Sequence, residues 1–135
     1  MKNRFILYSF DNGTLGHARR TLNIASALSR KSSDSLILII GSADLLLTQD
    51  LPPRVDYLRL PAVTRESVER ANYVSTAWGV GVSWFWKMRS YVLRDVFTTF
   101  KPSAIIVDYK ATGIGNELVE SLRAAKKQDL SLIHI

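Results

Sequence analysis

Two side chains, distant in the chain, have the chemistry of a proton-transfer pair. His17 is one of two histidines, and imidazole is the side chain best matched to taking a proton at neutral pH. Asp108 is a carboxylate that, set against the other ring nitrogen, would fix the tautomer and stabilise the imidazolium as it forms. Asn12, Gly13, Thr14 and Gly16 lie just before His17, in a turn whose glycines let a ligand approach the backbone. With Arg19 and Glu117 they complete the candidate ligand contacts. Glu117 ranks below the others, because an acid in the first turn of a helix is already explained by the helix dipole.

The elements that must position these groups are legible as patterns. Residues 5–10, FILYSF, read as a buried strand. After the turn, Ala18, Thr21, Leu22, Ala25 and Leu28 share one face of a helix, and Arg19, Asn23, Ser26 and Arg30 the other. The new helix points its free N–H groups and positive dipole end at the loop. Residues 36–40 are a continuous apolar run, as in a strand covered on both faces. A weak helical segment at 45–47 and a strand at 55–60 follow. The stretch 62–82 is the least regular, with Arg65, Glu66, Glu69 and Arg70 on a short helix or in a functional loop.

A strong helix is predicted over 83–101, with Phe85, Met88, Val92, Val96 and Phe100 as its apolar stripe, widened by Trp86, Leu93 and Phe97. Arg89 interrupts that stripe and is expected to pack its stem while its guanidinium reaches solvent; the alternative is an anion contact. Residues 104–107 form a fourth strand ending at Asp108, and Leu118, Leu122 and Ala125 mark a third helix. Residues 1–129 are expected to form one domain. Residues 130–135 could begin a fifth strand, but are expected to be a truncated tail, because SLIHI resembles a translated sequencing adapter, and His134 is set aside with it. The alternation implies an α/β fold, a doubly wound parallel sheet of Rossmann-like type in the order 3-2-1-4-5. The first and fourth strands then meet at the topological switch point, where such sheets bind ligands.

Composition and motifs narrow the chemistry. The chain has 135 residues and no cysteine, which excludes disulfides and thiolate metal sites; no metal is expected. The formal charge of +6 is spread along the chain, with no nucleic-acid-binding module. No apolar run reaches the length of a membrane helix, and no leader with a cleavage site is seen, so a cytoplasmic location is expected. G-x-G-x-x-G, the P-loop and G-x-S-x-G are all missing, which argues against nicotinamide-dependent, P-loop and elbow-nucleophile enzymes.

The segment FILYSFDNGTLGHARRTLNIASAL resembles the start of GT-B glycosyltransferases, particularly a bacterial group of predicted glycosyltransferases related to the peptidoglycan N-acetylglucosaminyltransferase. LPPRVDYLRLPAV, FKPSAIIVDYKATGIGNEL and the long helix before Lys101 are similar in kind. Thr14-Leu15-Gly16-His17 departs from the glycine-richer form of the peptidoglycan enzyme, so that enzyme's lipid-linked acceptor is not carried over.

The resemblance implies the N-terminal, acceptor-side half of a two-domain enzyme. A nucleotide sugar would serve as co-substrate, and the donor-binding C-terminal domain would be missing. It implies sugar transfer to an acceptor hydroxyl with His17 as base and Asp108 behind it, as in plant-type inverting enzymes, and no turnover by this half alone. A non-catalytic acceptor-binding subunit of a split glycosyltransferase and a GT-B sugar-nucleotide epimerase are the alternatives. Trp84, Trp86, Lys87, Arg89 and Arg94 on one helix could add a peripheral membrane contact.

Overall fold

The computed structural model describes residues 3–10, 16–64, 74–79, 81, 84–127 and 130–135. Five parallel strands form one sheet: β1 (Asn3–Tyr8), β2 (Ser35–Gly41), β3 (Val55–Arg59), β4 (Ala104–Val107) and β5 (Ser131–His134), in the order β3-β2-β1-β4-β5. This is the order expected from the sequence. The helices are α1 (Gly16–Lys31), α2 (Phe85–Phe100) and α3 (Val119–Lys126), with a 3-10 turn at Asp44–Leu47.

Strand alternation sends side chains to two cores. Ile6, Tyr8, Ile40, Ile105 and Val107 pack with Leu93 and Phe97 of α2 and Leu118 and Ala125 beside and on α3. Leu7, Ile37, Ile39 and Ile106 pack with Ala18 and Ala25 of α1. Both faces of the central strands are therefore covered, which is why they read as unbroken apolar runs. The residues that α1 turns inward are small, Ala18, Thr21, Ala25 and Ser29. Its far end is capped by Arg54, whose Nη2 donates to the Ser29 and Ser32 carbonyls at 2.6 and 3.0 Å and whose Nε donates to Ser35 O at 3.1 Å. A cation there satisfies carbonyls that the helix leaves without partners and complements its dipole.

Two expectations need correction. The buried stripe of α2 is Phe85, Arg89, Leu93 and Phe97, one position round from the predicted one, and Val92 is exposed. Arg89 therefore lies at the centre of the buried face, not on its flank. Glu117 is not in a first helical turn, since α3 begins at Val119. Residues 131–134 supply the fifth strand that the expected order includes, paired in parallel with β4, with exposed side chains throughout. Of the irregular 62–82 stretch, isolated bridges join Val63 to Ser75 and Val74 to Gly81; Arg65, Glu66, Glu69 and Arg70 lie outside the described residues.

Candidate active site

β1 and β4 are adjacent, with Tyr8 opposite Val107 at their carboxyl ends. The Asp108 N–H continues the ladder by donating to Tyr8 O at 2.9 Å. The chain turns away after Asp108, leaving its buried carboxylate at the rim beneath the start of α1. His17, in the first turn of that helix, meets it: Nδ1 lies 2.8 Å from Asp108 Oδ2. Arg20, one turn further on, donates from Nη1 to Oδ1 at 2.7 Å. The two ion-pair partners differ in exposure, His17 at 28% and Arg20 at 54%.

The carboxylate accepts, so Nδ1 carries a proton and Nε2 holds the lone pair in the neutral imidazole. Among the described residues Nε2 has no hydrogen-bond partner. The ring is thus held in the tautomer that a base needs, with its free nitrogen away from the buried acid.

The structure brings together His17 and Asp108 from the candidate set. Gly16 is the first residue of α1, exposed, with open space where a Cβ would stand. Arg19 is exposed, and the cation that reaches the carboxylate is its neighbour Arg20. Helical spacing could have found this, because residues three apart share a face and residues two apart do not. Asn12, Gly13 and Thr14 lie outside the described residues.

Glu117 does not face the His17 cleft. It is buried beneath the same rim, in a network that the sequence did not suggest. The Tyr8 hydroxyl donates to Glu117 Oε2 at 2.6 Å and accepts from Arg89 Nη2 at 2.7 Å. Arg89 Nη1 donates to Ser42 Oγ at 3.0 Å and to Pro61 O at 2.7 Å, and Nε lies 3.6 Å from Glu117 Oε2. The guanidinium, 0% exposed, also sits over the rings of Tyr8, Phe10 and Phe85 at 5.8, 5.3 and 5.6 Å. The expected snorkelling fails because the aromatic box, three hydrogen-bond acceptors and the Glu117 carboxylate give the charge internal partners.

Glu117 also takes the Gly115 N–H at 3.1 Å, which ties the loop after β4 to this network. A Cβ on Gly115 would run into the Trp86 ring, and one on Gly113, at φ +85°, into the Glu117 carboxylate. The loop is therefore moulded onto α2 and the Glu117 carboxylate. Of the residues expected on a membrane-facing side of α2, Arg89 is wholly inside and Trp86 is half-buried, whereas Trp84, Lys87 and Arg94 are exposed.

Burial pushes the Tyr8 hydroxyl well above the ordinary tyrosine range, with Arg89 pulling the other way. A folded pKa above the unfolded value of about 10 gives stability that is present below pH ~10 and lost as pH rises past it. One of the five tyrosines should therefore resist ionisation in an alkaline absorbance titration and release its proton only as the chain unfolds. Tyr8→Phe should abolish that late step.

No family model matches the sequence, and no curated protein matches it. In fold the chain is similar to UGT2 of Phytolacca americana, in a structure with UDP-2fluoro-glucose and pterostilbene, at TM-score 0.58 and 17% identity over 99% of this chain and 31% of that one. It is similar to a UDP-N-acetylglucosamine 2-epimerase of Listeria monocytogenes at TM-score 0.56 and 15% identity, over 100% of this chain and 32% of that one. The C-terminal domain of the PF1911 hydrogenase of Pyrococcus furiosus gives TM-score 0.58 at 9% identity, with 92% of that chain covered. At these identities the likeness is one of fold, a Rossmann-like α/β domain. The chain spans about a third of the length of the UGT2 and epimerase chains.

Proposed function

We propose that this domain is the acceptor-side half of a glycosyltransferase that moves a sugar from a nucleotide-sugar donor to an acceptor hydroxyl with inversion. The observation that carries the reading is the 2.8 Å bond between His17 Nδ1 and Asp108 Oδ2 at the adjoining ends of β1 and β4. His17 Nε2 takes the proton of the acceptor hydroxyl as that oxygen bonds to the anomeric carbon. The bond from that carbon to the nucleoside diphosphate breaks, and the diphosphate leaves with the electron pair. Asp108 steadies the imidazolium as it forms. Donor binding falls to a second domain. Fold likeness to a sugar-nucleotide epimerase keeps epimerisation as the second reading.

The test is product analysis with the full-length enzyme and a panel of α-linked nucleotide sugars. The expected outcome is a new β-glycosidic linkage that appears with release of nucleoside diphosphate. A retained anomeric configuration rejects the single-base mechanism, and an altered sugar nucleotide without transfer favours the epimerase.

A further inference from the structure

Tyr109 follows Asp108 directly and has φ +76°, a conformation in which a bulky side chain is an outlier. The Lys110 N–H donates back across it to Asp108 O at 3.1 Å. That bond and that φ describe the rare, strained form of the three-residue turn. Asn116 and Gly113, the other positive-φ residues of this loop, are of types that tolerate the region; tyrosine is not. Packing does not account for the choice, because Tyr109 is 66% exposed. The turn does, however, set the ring beside the proposed base, with the centroids of Tyr109 and His17 6.1 Å apart and the planes at 57°. Strain held at an exposed aromatic next to a hydrogen-bonded imidazole and carboxylate is the pattern of a functional constraint.

We infer that Tyr109 is a specificity-determining residue whose ring carries the apolar face of the acceptor's own ring, so that the acceptor hydroxyl lies at His17 Nε2. The inference rests on the acceptor-side reading above. The ligand chemistry is a six-membered ring that offers an apolar face and a hydroxyl at its edge, a description that fits both a pyranoside and a phenol. Both stack on an aromatic face at the spacing that aromatic pairs use.

The experiment uses the full-length enzyme with a nucleotide sugar and two acceptor probes, an alkyl β-glucoside and para-nitrophenol. Tyr109→Gly should raise KM for the accepted probe by roughly two- to twelvefold, the worth of one ring contact, and should raise KM more than it lowers kcat. Tyr109→Phe should restore the wild-type KM. The probe that shows the effect identifies the acceptor as sugar or phenol. Tyr109→Gly should also raise the thermal midpoint by a few degrees, since glycine accepts the φ without strain. A wild type that transfers to a probe with KM unchanged in Tyr109→Gly overturns the inference and leaves the glycosyltransferase reading standing. A lowered midpoint likewise overturns it, because the ring would then serve the fold. A wild type that transfers to neither probe removes the reading and the inference together.

Discussion

His17→Ala should lower turnover of the full-length enzyme by roughly 10²–10⁴-fold, the usual worth of a positioned general base. On the proposed reading the affinity for a nucleotide sugar should change little, because that reading assigns the donor to a second domain. The ring is half-exposed and its removal opens no core, so the variant should fold as the wild type does, and a circular dichroism melt checks this. Asp108→Asn should cost nearly as much as His17→Ala. Arg20 already donates to Asp108 Oδ1 at 2.7 Å, so the single oxygen of an asparagine would be drawn to the guanidinium. The amide NH₂ would then face His17 Nδ1, and the imidazole would bond it with the wrong nitrogen protonated. Arg20→Ala in the Asp108→Asn background frees the amide to turn its oxygen towards His17 and should recover part of the rate. Wild-type turnover in His17→Ala would remove the base assignment whatever the fold.

The largest effect on stability is expected at Arg89. Arg89→Met keeps much of the side-chain volume but leaves the Glu117 carboxylate buried opposite Tyr8 with no cation. Removing one partner of a buried ion pair costs about 3–5 kcal/mol, which is a large part of the ~5–15 kcal/mol that holds a domain together. The midpoint of urea denaturation should fall accordingly. Joining Arg89→Met to Glu117→Leu should return much of the loss, because the pair is then replaced rather than broken. A loss below about 1 kcal/mol in Arg89→Met would show that the network contributes no more than an exposed pair.

The sheet was legible because its information is local. The runs in β1, β2 and β4 and the small inward residues Ala18, Thr21 and Ala25 of α1 each follow from periodicity. Strand order then follows from the handedness of crossovers. That same order brings the end of the fourth strand beside the loop of the first, so His17 and Asp108 could be paired across 91 positions of sequence. What failed was non-local. Arg89 on an apolar stripe looks like a snorkelling side chain unless its partners are known, and those come from Tyr8, Ser42, Pro61 and Glu117, on four different stretches of the chain. Arg19 and Arg20 differ only in helical phase, and it is the spacing of three from His17 that puts Arg20 on the face of the carboxylate. Tyr109 carried no sequence signal, since backbone strain is a property of the folded turn.

Helix α1 is gripped at both ends by arginines. At its start Arg20 is clasped to Asp108, and at its finish Arg54 reaches in from the connection between β2 and β3 to hold the Ser29 and Ser32 carbonyls. A rod fastened at both ends can neither ratchet along its axis nor roll about it without breaking charge-assisted bonds at one of them. The height of the His17 ring above the sheet is therefore fixed before any ligand arrives. Adaptation to ligands of different size must then fall to the loops on the rim, and amide hydrogen exchange along α1 should be the same whether the site is empty or filled.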